Sequence, residues 1–149
     1  MNAEFKFLHD YPLFRGLNED QMQAVMSVCR EECFLPDTVL FEEGQRAGEI
    51  FVLTDGQVEE SFTAGEATLA LLHPLEPGEI IGCPALVPPY TQNCTARALT
   101  RTEVLAIDAE GLRELFAQDC QLAVAIQQNF IEKLLERIGK MRLVGTEYA

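Results

Sequence analysis

The sequence is poor in basic residues, and this shortage limits the partners it can bind. It has 11 lysines and arginines against 24 aspartates and glutamates, which gives a net charge of −13. Proteins bind nucleic acids mainly through basic side chains that neutralise phosphates, so we expect no nucleic-acid partner. A few basic residues gather near the C-terminus, where we interpret them as complementing the dipole of a helix end. They are Lys133, Arg137, Lys140 and Arg142.

Long apolar runs are missing as well. No segment approaches the ~20 apolar residues that span a bilayer, and the N-terminus lacks the pattern of a signal peptide. We therefore expect no membrane partner. The cysteines are odd in number and scattered through apolar segments, which favours reduced thiols in a cytoplasmic protein over a disulfide framework. They are Cys29, Cys33, Cys83, Cys94 and Cys120.

Residues suited to catalysis or metal binding are scarce. The sequence has two histidines, His9 and His73, whereas a metal-dependent jelly-roll enzyme needs two or three inward-facing histidines and a carboxylate. It contains no Gly-x-Ser-x-Gly elbow and no P-loop. The glutamate pairs at 42–43 and 59–60 lack the spacing of calcium ligands, and we interpret them as solvated hairpin edges. The sequence therefore predicts a protein that is not an enzyme and has no metal or cofactor.

What the sequence does contain is enough for one folded domain of 149 residues, 48% of them hydrophobic. Turn signals at intervals of roughly 8–12 residues predict a mainly β domain, with an antiparallel jelly roll of eight strands over residues 33–107. Within it, Asp55-Gly56 predicts a two-residue β-hairpin. Residues 1–32 are predicted to form a helical segment before the roll, and residues 108–143 to form helices after it.

Both helical segments carry N-terminal caps. Asn18 and Gln21 are predicted to form a capping box, and Asp108 to cap the first helix after the roll. The last helix is predicted over about residues 120–143. Because a helix this long outlasts one face of the roll, we interpret the apolar stripe of its distal half as the seam of a homodimer, with packing on its own roll as the alternative. The seam residues are Ile126, Phe130, Leu134, Ile138 and Met141.

The most informative stretch is residues 78–97. An apolar strand tail ends at Gly82, and Pro84 suits the first position of a helical turn because its missing N–H would have no partner there in any case. Pro88 and Pro89 cannot continue a helix, so the turn ends before them. The pattern predicts a strand end, one short helical turn, a proline-closed loop and the start of a new strand.

This stretch resembles the phosphate-binding cassette of cyclic-nucleotide-binding domains, as in catabolite-activator-type regulators and the regulatory subunits of protein kinase A. The family pattern is Phe-Gly-Glu-Leu-Ala-Leu, a short loop and Pro-Arg-Ala-Ala-Thr-Val, and residues 81–86 and 91–96 match it without a gap. Weaker matches extend the resemblance over residues 7–142, and we expect an effector domain without a DNA-binding domain. The resemblance implies a ligand pocket lined by Gly82, Cys83, Pro84, Ala85, Leu86, Gln92, Asn93, Cys94 and Thr95.

Two positions depart from the family pattern. The family glutamate, which grips the ribose 2′-hydroxyl, is replaced by Cys83, and the family arginine, which pairs with the cyclic phosphate, is replaced by Gln92. Glutamine offers neither a positive charge nor a bidentate fork. Since a charge-assisted hydrogen bond contributes about 1.5–3 kcal/mol, the loss of both anchors lowers nucleotide affinity by roughly two orders of magnitude or more.

We therefore predict a non-catalytic regulatory module that does not hold cyclic AMP or cyclic GMP in the usual way. It is expected to bind either another small ligand, which can be nucleotide-like, or a partner protein. One alternative is a true cyclic-nucleotide-binding domain that uses backbone N–H groups around the cassette. Another is a redox sensor built on Cys83 and Cys94, in which the N-terminus of the short helix stabilises the Cys83 thiolate. The plainer alternative is that both thiols are inert packing groups.

Overall fold

The computed structural model describes residues 8–70 and 74–147, with side chains described for residues 9–70 and 74–140. The candidate histidine His73 and the side chain of Met141, the last predicted seam residue, lie outside these ranges. Among the helices that are described, none combines the length and the apolar character that crossing a membrane requires.

The chain opens with short helices. Two 3₁₀ turns, Leu8–Asp10 and Pro12–Phe14, precede helix α1, Glu19–Met26. The predicted capping box is confirmed, because the Asn18 side chain accepts a hydrogen bond from the Gln21 N–H at 2.8 Å and the Gln21 side chain accepts one from the Asn18 N–H at 3.0 Å. The β region then begins at 29 rather than at the predicted 33.

The eight described strands form two four-stranded antiparallel sheets, and this confirms the predicted jelly roll. The first sheet has the order β1-β8-β3-β6 and the second has the order β2-β7-β4-β5. The strands are β1 Cys29–Phe34, β2 Val39–Phe41, β3 Glu49–Asp55, β4 Val58–Ala64, β5 Ala67–Ala70, β6 Ile80–Ile81, β7 Thr95–Ala98 and β8 Thr102–Asp108.

Strand β3 joins the two cores of the domain. Ile50 and Val52 lie in the apolar cluster between the first sheet and the helices, whereas Phe51 and Leu53 lie in the cluster between the two sheets. Successive side chains of a strand point to opposite faces, so a strand covered on both faces needs an unbroken apolar run. This is why the four consecutive apolar residues of β3 are all buried.

The hairpin predicted at Asp55-Gly56 is wrong. β3 lies in the first sheet and β4 in the second, so the turn is a corner that carries the chain from one sheet to the other. Gly56 has φ +94°, and a Cβ there would lie 2.5 Å from the Arg101 carbonyl oxygen. A hairpin and a corner both need a tight turn with positive φ, so the dipeptide alone does not distinguish them. β4 pairs with β5 instead, across Gly65.

Two helices follow the roll. Helix α2, Ala109–Gln118, is capped as predicted by Asp108, whose side chain accepts a hydrogen bond from the Gly111 N–H at 2.8 Å. Helix α3 spans Cys120–Glu147, 28 residues, and is therefore about 42 Å long. Its start is fixed to the N-terminal segment by Asn129, whose amide donates hydrogen bonds to the carbonyl oxygens of Leu13 at 2.8 Å and Arg15 at 2.9 Å.

The apolar stripe predicted on α3 divides into two parts. Ile126 and Phe130 are buried in the cluster between the helices and the first sheet, so the domain itself covers them. Leu134 and Ile138, further along, are exposed. The proximal part of the stripe therefore holds α3 against its own roll, and only the distal part is open to a partner.

Candidate ligand pocket

The cassette turn forms at the place that the sequence predicts. A 3₁₀ turn, Cys83–Leu86, follows β6, with Pro84 in its first turn. Gly82 precedes it with φ +90°, and a Cβ at this position would lie 2.8 Å from the Glu49 carbonyl oxygen. Only glycine combines this left-handed conformation with so close an approach to the backbone of β3. The turn is thereby pressed against the end of the first sheet.

Helix α2 holds the cassette from outside through Arg113, which the sequence analysis did not single out. Its Nη1 donates a hydrogen bond to the Ala85 carbonyl oxygen at 2.7 Å, and its guanidinium carbon lies 4.3 Å from the centre of the Tyr90 ring. A guanidinium over an aromatic face is attracted by the ring quadrupole. Arg113 thus contacts both the cassette turn and the loop that follows it.

Gln92 lies on the inner side of the cassette. Its side chain is only 4% exposed, and a Cβ built at Gly82 would lie 3.6 Å from Gln92 Nε2. The predicted proximity of the two halves of the cassette is therefore present. Gln92 Oε1 is buried and has no hydrogen-bond partner among the described residues. A buried acceptor without a partner is costly, so this oxygen is a point at which a ligand donor would be favoured.

Two thiols border the same space. Burial raises the pKa of Cys83, and the nearby charge of Arg137 offsets only part of this effect. Burial, followed by the charge of Glu60, raises the pKa of Cys94 to about 12. The Cys94 thiol donates a hydrogen bond to Glu60 Oε2 at 3.3 Å. The proposed stabilisation of a Cys83 thiolate by the short helix is thus outweighed by desolvation, and both thiols stay protonated near neutral pH.

The backbone N–H groups of the cassette are partly used within the fold. Those of Ala85 and Gln92 donate to the carbonyl oxygens of Gly82 at 3.1 Å and Gln45 at 2.8 Å. The Thr95 hydroxyl accepts a hydrogen bond from the Glu43 N–H at 3.0 Å. These groups support the loops around the pocket and are not free to bind an anion.

The remaining predicted pocket residues differ in their surroundings. Pro84 and Leu86 are half-buried, and Asn93 is exposed. The structure therefore brings Gly82, Cys83, Gln92 and Cys94 together and leaves Asn93 outside.

Glu60 is buried, which contradicts its interpretation as a solvated hairpin edge. Its side chain turns inward from β4, with the residue 8% exposed. Residues two apart in a strand share a face, and Val58 is fully buried on the face that Glu60 shares. This alternation was the available sequence signal.

The partner of Glu60 is Arg137 of α3, which the sequence analysis assigned to the dipole of a helix end. Arg137 Nη1 lies 3.4 Å from Glu60 Oε1, and Nη2 donates a hydrogen bond to the Ile80 carbonyl oxygen at 2.8 Å. Arg137 follows the buried Phe130 by seven residues, which places both on one face of the helix. A single arginine on an apolar stripe was the signal that could have identified it.

Comparison with known proteins agrees with this architecture. The family model of the cyclic nucleotide-binding domain matches residues 31–119. The chain belongs to this family. The family match spans all of the strands from β2 to β8, the cassette and helix α2.

Individual relatives place the domain in regulatory proteins. Over 103 residues, this cyclic nucleotide-binding domain is 28% identical to potassium channel KOR2 of Oryza sativa subsp. japonica, and the match covers 69% of the chain but 14% of the channel. It is 24% identical to the HTH-type transcriptional regulator Cmr of Mycobacterium tuberculosis (strain CDC 1551 / Oshkosh), over 87% of the chain and 52% of the regulator. The chain therefore spans a minor part of the channels and about half of the regulator.

A solved structure covers nearly the whole chain. It is a candidate cyclic nucleotide-binding protein of Geobacter metallireducens GS-15, 27% identical, with a TM-score of 0.80. The similarity covers 93% of this chain and 99% of that one. The similarity therefore extends beyond the roll to the helices on either side of it.

Proposed function

We propose that this chain is a non-catalytic regulatory module that senses a small ligand in the cassette pocket and does not hold cyclic AMP or cyclic GMP through the usual pair of anchors. The observation that supports the proposal is the buried, unpartnered oxygen of Gln92, at the position that the resemblance aligns with the phosphate-binding arginine. A cyclic phosphate presents acceptors and no donors, and the uncharged Gln92 amide cannot make the charge-assisted bidentate pair that an arginine makes with it.

Cys83 supports the same conclusion at the other anchor. The resemblance aligns it with the glutamate that binds the ribose, and a protonated thiol is a weak donor and a weak acceptor. Burial keeps this thiol protonated. Neither anchor position therefore offers a charge to a nucleotide.

Isothermal titration calorimetry with cyclic AMP and cyclic GMP tests the proposal. We expect dissociation constants weaker than about 10 μM, because the charge-assisted bonds are missing. The double variant Cys83→Glu/Gln92→Arg should bind at least tenfold more tightly than the wild type. Binding by the wild type tighter than about 10 μM would contradict the proposal.

A matched control separates the pocket from net charge. The variant Cys120→Glu/Gln127→Arg makes the same two chemical changes at exposed positions. We expect it to bind cyclic AMP as weakly as the wild type. Equal gains in both double variants would show that overall electrostatics, rather than the anchors, change the affinity.

We also propose that two copies associate through the distal part of α3. The supporting observation is a set of exposed apolar side chains at helical spacing, Ile131, Leu134, Leu135 and Ile138. Size-exclusion chromatography with light scattering should give twice the chain mass for the wild type. Leu134→Glu/Ile138→Glu should give the mass of a single chain, whereas Val87→Glu, at an exposed apolar residue elsewhere, should not. A wild type with the mass of one chain would refute the dimer.

A further inference from the structure

The pocket contains a guanidinium that comes from α3 rather than from the cassette. Arg137 is mostly buried, with a side chain 21% exposed, and it contacts Glu60 of β4 and the carbonyl oxygen of Ile80. Its Nε is buried and has no hydrogen-bond partner within the described part of the chain. Two buried side-chain atoms of opposite kind are therefore unsatisfied among the described residues, the donor Nε of Arg137 and the acceptor Oε1 of Gln92.

The charges enclosed in the pocket cancel. Glu60 contributes one negative charge and Arg137 one positive charge. Gln92 is neutral, and the two thiols are kept neutral by burial. An anion that approached Arg137 would also meet the Glu60 carboxylate, which already occupies one side of the guanidinium. Burial strongly disfavours an unbalanced charge.

We propose that Glu60 and Arg137 form a charge-selecting pair, which admits an uncharged polar ligand and excludes anions such as a cyclic phosphate. The ligand would donate a hydrogen bond to Gln92 Oε1 and accept one from Arg137 Nε, as an amide or a neutral nucleobase can. This inference rests on the proposed function and names the ligand class for the same pocket. Glu60 is then the residue that determines specificity, because it neutralises the cation that an anion needs.

Removal of the Glu60 charge tests this assignment. In Glu60→Gln the pocket gains a net positive charge, and Arg137 becomes available to an anion. We expect cyclic AMP to bind Glu60→Gln at least tenfold more tightly than the wild type, by NMR titration, which detects millimolar binding. The double variant Glu60→Gln/Arg137→Gln should lose this gain, because its pocket has no cation.

The control is Glu59→Gln. It changes the net charge by the same amount on the neighbouring residue, whose side chain points to the opposite face of β4. We expect Glu59→Gln to bind cyclic AMP like the wild type. Urea unfolding verifies that each variant is folded, and Glu60→Asn provides the same charge change with less bulk if Glu60→Gln does not fold.

The outcomes distinguish this inference from the proposed function. A folded Glu60→Gln protein that binds cyclic AMP no better than Glu59→Gln would overturn the charge-selecting pair and leave the missing anchors unaffected. A gain that persists in Glu60→Gln/Arg137→Gln would also overturn it, since Arg137 would not be the binding cation. Tight cyclic AMP binding by the wild type would instead refute the proposed function.

Discussion

Asn129 provides a sharp test of how α3 is held, because its amide is 7% exposed and bonded to two backbone carbonyls. In Asn129→Asp the donors are replaced by carboxylate oxygens that face the carbonyl oxygens of Leu13 and Arg15. Two net hydrogen bonds are lost, at about 1 kcal/mol each. A buried charge without a partner adds further cost, so we expect a total loss of about 3–5 kcal/mol at neutral pH.

The loss should depend on pH. Burial against two carbonyl oxygens raises the pKa of the new carboxyl above its value in the unfolded chain. A group with a raised pKa in the folded state contributes its full stability below the unfolded pKa and loses it as pH rises. The destabilisation by Asn129→Asp should therefore shrink as the pH falls from about 7 to about 5, where the carboxyl is protonated and can donate one hydrogen bond.

Urea unfolding at several pH values measures both effects. Gln128→Glu is the matched control, because it adds the same charge at the adjacent exposed residue. A difference between the two variants below about 0.5 kcal/mol at pH 7, or one that does not change with pH, would refute the reasoning. Since Arg137 lies eight residues beyond Asn129, about 12 Å along α3, a loosened start would also disturb the pocket.

Three further predictions concern the cassette. Gly82→Ala should lower the free energy of unfolding by more than about 2 kcal/mol, because the position combines a positive φ with a backbone clash of the new Cβ. Gly44 has a similar φ but open space around it, so Gly44→Ala should lower the free energy of unfolding by about 1–2 kcal/mol. Equal losses for the two variants in urea unfolding would contradict the clash. At pH 8, iodoacetamide should modify the exposed Cys33 well before Cys83 or Cys94, because burial raises the pKa of the latter two thiols. Mass spectrometry measures the rates, and modification of Cys83 as fast as that of Cys33 would contradict this prediction. The Cys94 thiol has a higher pKa in the folded than in the unfolded protein, so its contribution to stability is lost as the pH rises from about 9 to 12. Cys94→Ala removes this group, so the stability of the variant should fall less steeply over the same pH range.

Local sequence signals predicted much of the fold. The capping box at Asn18 and Gln21, the turn at Gly82 and Pro84, and the buried strand β3 each depend on residues within a few positions of one another. Backbone geometry and hydrogen bonding over one turn decide such features. The family resemblance supplied the order in which these pieces assemble.

Features that depend on distant residues were missed. Glu60 and Arg137 are 77 residues apart, and each has an ordinary local explanation, as a hairpin edge and as a charge near a helix end. The pair forms only because the fold brings α3 close to β4 and β6. Likewise, the corner at Gly56 depends on which sheet receives β4, and the turn residues do not encode that choice. The cassette turn could be predicted from sequence, but the charged pair near it could not.

The hydrogen bond from Arg113 to the cassette bears on which cassette residues can change without loss of the contact with α2. Arg113 donates a hydrogen bond to the carbonyl oxygen of Ala85, a group that every amino acid carries, so this bond between α2 and the cassette does not require a particular side chain at position 85. A replacement at position 83 can alter the chemistry offered to a ligand while the mechanical connection to the helices stays the same. Residue 83 can therefore vary without loss of the hydrogen bond that connects the cassette to α2.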